Sequence, residues 1–503
     1  MNATSFSLQQ LLPSARIIAT HDIVVSQVQS DSRLVVAGDV FVAVRGTRSD
    51  GHRHIHDAVS RGAIAVVSEH KVEDIDVPQA VVECSATAFA LMCMRLHTGF
   101  ASSVTLAGIT GTNGKTTTSW MLRTILETAR LRTGIVGTIE TSDGVNRVAS
   151  SMTTPSADCI ARHMHQMIVQ QTSHCVMEVS SHALHQKRCA ALKLAVAAIT
   201  NITHDHLDYH GSLDSYSSVK ASIAKLLHAD APLLINLDDE GCRRILDQLA
   251  GVPLVTFGIK SGEAELRATL LSKTHRSQRV RLHLAQGDAE VRLRLIGDHN
   301  VSNSLLAAGI AEQLGIRIKD IVAGLESLTA VPGRLERIDE GQPFQVLVDY
   351  AHTPDALERS IQTIRNFVPG KLICVFGAGG NRDATKRPAM GRVAAAADVC
   401  VVTSDNPRDE EPLSILRDVA SGFPSTSQFE IEVDRQQAIV RAFQMAEPGD
   451  VVLLAGKGHE NTQEVAGAKI YFDDREVARR LLQLSDTRNV ADLQPVFFAS
   501  RSA

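Results

Sequence analysis

Short apolar runs recur along the chain, separated by polar, Gly-rich or helix-length segments. In residues 1–97 they fall at Asp39–Val44, Ala63–Val67 and Ala80–Glu83, with loops rich in Gly, Asp and His between them, which predicts a small α/β domain. From 98 to 331 the runs Val104–Ile109, Gly134–Ile139, Cys175–Val179, Leu194–Thr200, Leu233–Leu237 and Leu254–Phe257 mostly alternate with helix-length segments. Such alternation predicts a mainly parallel sheet with helices on both faces. Residues 279–295 break the pattern. There RVRLHL and VRLRL alternate with period two about Gln286-Gly287-Asp288, which predicts an exposed antiparallel hairpin. From 332 to 503 a second α/β run begins, with strands at Val346–Val348, Leu372–Phe376, Val399–Val402 and Val451–Leu454. Each runs into a polar or Gly-rich loop: DYAHTPD, GAGGNRD, SDNPRDE and AGKGHEN. Ligands bind beyond the carboxyl ends of parallel strands, so these loops predict a substrate-binding edge.

Composition narrows the class. A chain of 503 residues, 44% apolar and 21% charged, is an ordinary globular protein of several domains. Lys and Arg number 51 against 56 Asp and Glu, and a net charge of −5 excludes a globally basic nucleic-acid binder. No apolar run approaches the ~18 residues of a membrane span. The first residues lack a charged segment followed by an apolar one, so no signal peptide is expected. Eight cysteines stand singly and none forms a CxxC pair, which implies neither a zinc ribbon nor a disulfide framework. The expectation is a reduced, cytoplasmic protein with no nucleic-acid partner and no membrane span.

The chemistry begins where the strand Val104–Ile109 meets Thr110-Gly111-Thr112-Asn113-Gly114-Lys115-Thr116-Thr117, followed by a helical pattern from Ser119. Glycines let backbone N–H groups wrap a phosphate, and a helix N-terminus adds a favourable dipole. Lys115 would reach the β- and γ-phosphates, and the Thr116 hydroxyl would ligate Mg²⁺. The strict GxxxxGKT spacing is not met, because position 109 is Ile. A Gly-rich turn is the plainer alternative, and an ATP or GTP site the stronger one. Further on, HCVMEVS ends with Glu178, and LAVAAITN leads to His204-Asp205-His206 and His210. If both strands flank the phosphate strand, Glu178 and His206 face the phosphates, and a carboxylate with one imidazole suits Mg²⁺. Three His about one Asp leave zinc open, without HExxH spacing, and a capping or surface role is open for His206 alone.

GTNGKTT, MEVSSH, TNITHDHLDYHG, GDHNVSN, PGRLE, DYAHTPD, GAGGNRD, DNPR and GKGHE occur in this order over about residues 30–480. As a set they resemble the Mur ligase family of peptidoglycan precursor synthesis, and within it the branch that adds the third amino acid. The resemblance implies an α/β protein of three domains. These are a small N-terminal α/β UDP-substrate-binding domain (1–97), a central P-loop ATPase domain with a mainly parallel sheet (98–331), and a C-terminal Rossmann-like domain bringing the amino acid (332–503). It implies a monomer that joins meso-diaminopimelate to UDP-N-acetylmuramoyl-L-alanyl-D-glutamate with ATP as co-substrate and two Mg²⁺.

By the same resemblance, ATP is held by Gly111, Thr112, Asn113, Gly114, Lys115, Thr116 and Thr117, with Asn300, Arg334, Asp349 and His352. The metals fall to Thr116, Glu178, His206 and a carbamylated Lys220 in YSSVK, and the catalytic set is Lys115, Glu178, His206 and Lys220. Without the family, Lys220 reads as a plain helix lysine. The UDP substrate is assigned to Ser32, Thr153, Thr154, Ser180, Gln186 and Arg188. Diaminopimelate is assigned to Arg382, Asp405, Asn406, Pro407, Arg408, Gly456 and Glu460, where DNPR alone would also read as a turn. Two positions depart from the family pattern: Met152 stands where relatives often have Asn, and Asn381 where Asp is commoner. A lysine-adding ligase, a folylpolyglutamate synthetase and a nucleotide-dependent switch are the rival readings.

Overall fold

A computed structural model describes residues 6–19, 22–47, 49–99 and 103–485. The described parts of 1–269, 281–291 and 302–327 form one compact unit, and those of 270–280, 292–301 and 328–503 form a second.

Among the described residues the first unit is built on two large sheets, beside a short antiparallel pairing of Phe6–Ser7 with Val24–Val25. The N-terminal sheet has five strands in the order Arg16–Ile18, Gln79–Val81, Ala65–Ser68, Val40–Val42 and Val28–Gln29, and only the first pairing is antiparallel. In the central sheet, Thr105–Thr110 lies between His174–Glu178 and Val196–Ile199, both parallel to it. Thr133–Val136, Leu233–Asn236 and Leu254–Gly258 continue the parallel part outwards. These strands read as unbroken apolar runs because helices cover both faces. Val176, Ile199, Leu234 and Ile109 are completely buried. Glu140–Ser142 and Arg147–Ala149 add an antiparallel edge with no comparable apolar run.

The expected hairpin is present as Gln278–Leu284 and Gly287–Leu293, extending the central sheet beyond Leu266–Lys273. Where an exposed hairpin was expected, only one of its faces is exposed. Val280, Leu282, Val291 and Leu293 are buried, so the period-two pattern marks one covered face and one wet face.

The second unit is built on six strands in the order Glu336–Ile338, Gln345–Asp349, Val451–Ala455, Leu372–Phe376, Val399–Val402 and Phe429–Ile431. All pairs are parallel except the first. The helix Pro354–Arg365 opens with Thr353 accepting from Ala356 N and with Pro in the first turn, where its missing N–H costs nothing. A second hairpin, Thr462–Val465 with Ala468–Tyr471, follows the GKGHE loop. Arg435 and Asp474 form a fully buried ion pair at 2.8 and 2.7 Å, and Arg435 also donates to Ala455 O at 2.9 Å. This ties the last helix, Asp474–Ser485, to the end of the strand Val451–Ala455. Arg435→Ala leaves Asp474 charged and dry, and is expected to destabilise the second unit by about 3–5 kcal/mol. Urea unfolding measures this, and a loss below about 1 kcal/mol contradicts it.

Candidate active site

The phosphate loop leaves the carboxyl end of the central strand, where Glu178 pairs in register with Ile109 and Ile199 with Thr110. Two of its glycines are sterically required. A Cβ on Gly111 (φ 150°) would fall 1.8 Å from Thr200 Oγ1, and one on Gly114 (φ 86°) would fall 2.5 Å from Asn303 Oδ1. Asn201 braces the loop, accepting from Asn113 N at 2.9 Å and donating to Asn113 O at 3.1 Å. The helix begins at Lys115, four positions before the Ser119 expected from the pattern. Lys115 Nζ donates to Gly111 O at 2.8 Å and Thr112 O at 2.9 Å.

Glu178 is completely buried at its strand end. Its Oε2 accepts from Thr116 Oγ1 and Thr138 Oγ1, both at 2.8 Å, and its Oε1 from Thr138 N at 2.9 Å. The loop hydroxyl and the neighbouring carboxylate are thus joined, as hard oxygen donors suited to Mg²⁺. Lys220, in the helix Leu213–Ala221, is 1% exposed and donates to Gly111 O at 2.7 Å. Its Nζ lies 4.6 Å from the centre of the Tyr216 ring. Burial, then the Lys115 charge, holds its pKa well below the ordinary lysine value.

His206 adopts φ 52° and lies 3.4 Å from Asp205, with the His182 ring edge-on at 4.9 Å. Burial, with His182, Lys115 and Lys220 adding to it, pushes its pKa down to about 4 against the pull of Asp205. At neutral pH the imidazole is neutral and keeps a lone pair. Among the described residues no three His, Cys, Asp or Glu side chains gather as a metal-holding group. The zinc alternative therefore has no cluster of that kind to rest on.

Five of the six residues assigned to the UDP substrate form one network. Thr154 Oγ1 donates to Glu178 O at 2.8 Å and accepts from Ser180 N at 2.9 Å. Arg188 donates to Thr154 O at 2.9 Å and to Gln186 Oε1 at 2.6 and 3.0 Å. Thr153 Oγ1 is 3.0 Å from Thr138 Oγ1, which leads back to Glu178. The Met152 thioether accepts weakly from Arg188 Nη1 at 3.7 Å. Ser32 stands apart on the short helix Ser32–Leu34, bonded to Asp57.

In the second unit, Asp349 ends its strand and accepts from Leu335 N (2.7 Å), Ala351 N (3.0 Å) and Ser360 Oγ (3.0 Å). Burial raises its pKa against the opposing charge of Arg334. Arg334 lies over the Tyr350 ring at 4.7 Å, and His352 Nδ1 is 2.8 Å from Tyr350 O. Asn300 donates to Ile296 O at 2.7 Å. The loops assigned to the amino acid converge as well. Asn406 Nδ2 donates to Asp405 Oδ1 (3.1 Å) and Glu460 Oε2 (3.0 Å). A Cβ on Gly456 would lie 2.6 Å from Asp405 Oδ2. Arg408 donates to Gly380 O at 2.6 Å, and a Cβ on Gly379 would meet Arg408 Nη1 at 3.1 Å and Arg382 Cγ at 3.7 Å. Pro407 lies in the same loop, and its carbonyl would be 1.9 Å from a Cβ on Gly380. Asn381 (φ 51°) exchanges hydrogen bonds with Asp409 at 3.1 and 3.3 Å.

Three family models match in order. "Mur ligase family, catalytic domain" covers 24–88, "Mur ligase middle domain" 109–311, and "Mur ligase, glutamate ligase domain" 333–458. The UDP-N-acetylmuramoyl-L-alanyl-D-glutamate–2,6-diaminopimelate ligase of Bacillus licheniformis is 40% identical, covering 91% of this chain and 94% of its own. The chain belongs to the Mur ligase family. It carries the three Mur ligase domains on an α/β fold. A solved structure of a UDP-N-acetylmuramoyl-L-alanyl-D-glutamate–2,6-diaminopimelate ligase superposes with TM-score 0.69 at 29% identity, covering 96% of this chain and all of that one. The folylpolyglutamate synthase of Mycobacterium tuberculosis, solved with ADP and AMPPCP, shares the fold at TM-score 0.62 and 18% identity, over 79% of this chain and 95% of its own.

Several residues around this Mur ligase's phosphate loop escaped the sequence reading. Thr138 gave no signal, because its role arises only when its strand turn meets the end of the Glu178 strand. Tyr216 lies in the YSSVK stretch and Asn303 in GDHNVSN, so both motifs held the cue without indicating a contact. In the second unit, apart from that loop, Lys457 of GKGHE is completely buried and donates to Thr462 O at 2.6 Å.

Proposed function

We propose that the protein is an ATP-dependent amide-forming ligase that adds meso-diaminopimelate to the D-glutamyl side-chain carboxylate of UDP-N-acetylmuramoyl-L-alanyl-D-glutamate. The observation that carries the reading is the phosphate loop joined through Thr116 to the buried Glu178. The likeness to the diaminopimelate ligases over almost the whole chain supports the choice of substrates.

A carboxylate does not condense with an amine in water, because oxide is a poor leaving group. In the proposed reaction a carboxylate oxygen attacks the γ-phosphorus and ADP leaves, giving an acyl phosphate. The amine of the incoming amino acid then adds to the acyl carbon, loses a proton, and the tetrahedral intermediate expels phosphate. Lys115 and the loop N–H groups offset the repulsion between carboxylate and triphosphate and stabilise the charge that develops on transfer. Asn300, Arg334, Asp349 and His352 serve ATP, and Ser32 with the Thr153–Arg188 network holds the UDP substrate. Thr116, Glu178, His206 and a carbamylated Lys220 would hold two Mg²⁺, which supply further neutralisation of the phosphates. Domain boundaries near 97 and 331, a monomeric state and a cytoplasmic location belong to the same reading. Among the described residues no helix is long and apolar enough to cross a membrane.

The deciding experiment is phosphate release with ATP, UDP-N-acetylmuramoyl-dipeptide and a panel of amino acids. A ligase releases phosphate only with all three substrates, whereas a switch hydrolyses ATP without them. A preference for lysine identifies the lysine-adding activity instead. Arg408 carries the selectivity, since a planar guanidinium reads a carboxylate that lysine lacks. Arg408→Ala is expected to lower kcat/KM for diaminopimelate by about a hundredfold and that for lysine much less, leaving the KM for ATP unchanged. An unchanged preference ratio would leave DNPR as a turn only.

A further inference from the structure

The DNPR stretch is held by the hairpin that follows GKGHE. Gln463 Nε2 donates to Asp405 O at 2.9 Å, and Glu464 N to Asn406 Oδ1 at 3.0 Å. Arg408 N donates to Glu464 O at 2.9 Å, and Ala466 N to Arg408 O at 2.6 Å. Arg408 itself adopts φ 54°, a left-handed conformation that a non-glycine residue keeps only where its surroundings impose it. The hairpin is that surrounding. It supplies both main-chain bonds of Arg408, and a single bridge joins Arg408 to Val465.

The side chain is held as well. Arg408 Nε lies 3.3 Å from Glu464 Oε2, and Nη1 donates to Gly380 O. A guanidinium is rigid and planar, with five N–H groups in one fork. Fixing Nε on one side and Nη1 on another sets the plane and leaves the Nη2 side for a ligand. The Arg408 side chain is 23% exposed, so the held guanidinium is not sealed from solvent. A long arginine left to swing would lose its rotamer freedom on binding, whereas a held one has already lost it.

We propose that Glu464 is a positioning residue for amino-acid selection. It holds Arg408 by its Nε edge so that the Nη2 side meets the distal carboxylate of the incoming amino acid. The inference rests on the assignment of Arg408 as the carboxylate reader. Glu464 contacts no substrate in this scheme and acts through Arg408 alone. Its own main-chain bonds to Asn406 and Arg408 do not depend on its side chain, so its variants keep the hairpin.

The test is steady-state kinetics of the full chain with meso-diaminopimelate and with lysine, on wild type, Glu464→Ala and Glu464→Gln. Glu464→Ala should raise the KM for diaminopimelate about tenfold, the scale of one lost charge-assisted contact, with kcat within about twofold. The KM for lysine and for ATP should stay put, so the diaminopimelate-to-lysine ratio falls by the same factor. Glu464→Gln keeps an acceptor facing Nε and should recover most of the loss. An unchanged KM for diaminopimelate in Glu464→Ala overturns the proposal. So does a loss shared equally by both amino acids, or one confined to kcat, since either would mark a purely structural hairpin residue. A wild-type preference for lysine overturns the Arg408 assignment and this inference with it. A wild type that prefers diaminopimelate, with an Ala variant that does so equally well, sinks the inference alone.

Discussion

Lys115→Ala is expected to lower ligation at least about a thousandfold while leaving the fold intact, the scale on which removal of a preorganised charge from a transferring phosphoryl group acts. Lys115 Nζ donates to two loop carbonyls, Gly111 O and Thr112 O. The loop itself is shaped by other groups: the two constrained glycines, the paired amide of Asn201, and Thr200 Oγ1 donating to Asn113 O at 2.6 Å. Removing the ammonium therefore leaves the cradle standing and takes away the charge proposed to meet the β- and γ-phosphates. Lys115→Arg keeps a cation but spreads it over a planar fork too bulky for the loop, and should recover little. Phosphate release with all three substrates, beside a thermal melt, measures both halves of the expectation. A folded Lys115→Ala with near-normal turnover removes the phosphate-loop assignment.

How much of this was legible before the structure depends on what each residue's signal was. Parallel strands buried on both faces must be apolar throughout, so Thr105–Thr110, His174–Glu178 and Leu372–Phe376 appeared as runs with ends right to about a residue. Short edge strands carry no such demand. Arg147–Ala149, Phe429–Ile431 and Thr462–Val465 are exposed or half-buried, so nothing in their composition marks them. At the site, Gly-Lys-Thr between strand and helix was legible because its shape is local. Thr138 was not, because it meets Glu178 only through strand order. Asp349 is expected to serve ATP by the resemblance alone; what the structure shows is its carboxylate accepting from Leu335 N at 2.7 Å, where Leu335 sits at φ 45°. The left-handed Arg408 could not be foreseen either, since its conformation is imposed by a hairpin more than fifty residues away in sequence.

Lys220→Ala is expected to reduce ligation about a thousandfold as well, and added bicarbonate should not restore it. Two ammonium groups, Lys115 and Lys220, converge on the single carbonyl of Gly111, at 2.8 and 2.7 Å. A second buried cation there is poorly explained as structure, because like charges repel and burial penalises both. Addition of CO₂ to the neutral amine makes an N–C bond and releases a proton, turning the cation into a carboxylate-like anion opposite Lys115. Burial favours the neutral amine that this reaction needs. Lys220→Glu supplies a carboxylate at similar reach and should regain part of the activity. Stability gives an independent reading. The unmodified lysine's folded-state pKa lies below its unfolded value, so the unfolded chain binds the extra proton at neutral pH. Stability then rises with pH until the unfolded lysine is neutral too. Lys220→Met should flatten that slope and raise the melting temperature at neutral pH, while a carbamylated wild type at fixed CO₂ should show a steeper slope, because unfolding then returns the lysine from an anion to a protonated ammonium. Mass spectrometry of the intact chain under CO₂ should find one added CO₂ in wild type and none in Lys220→Met. Full activity of Lys220→Ala would return Lys220 to the plain helix lysine that its sequence context suggests.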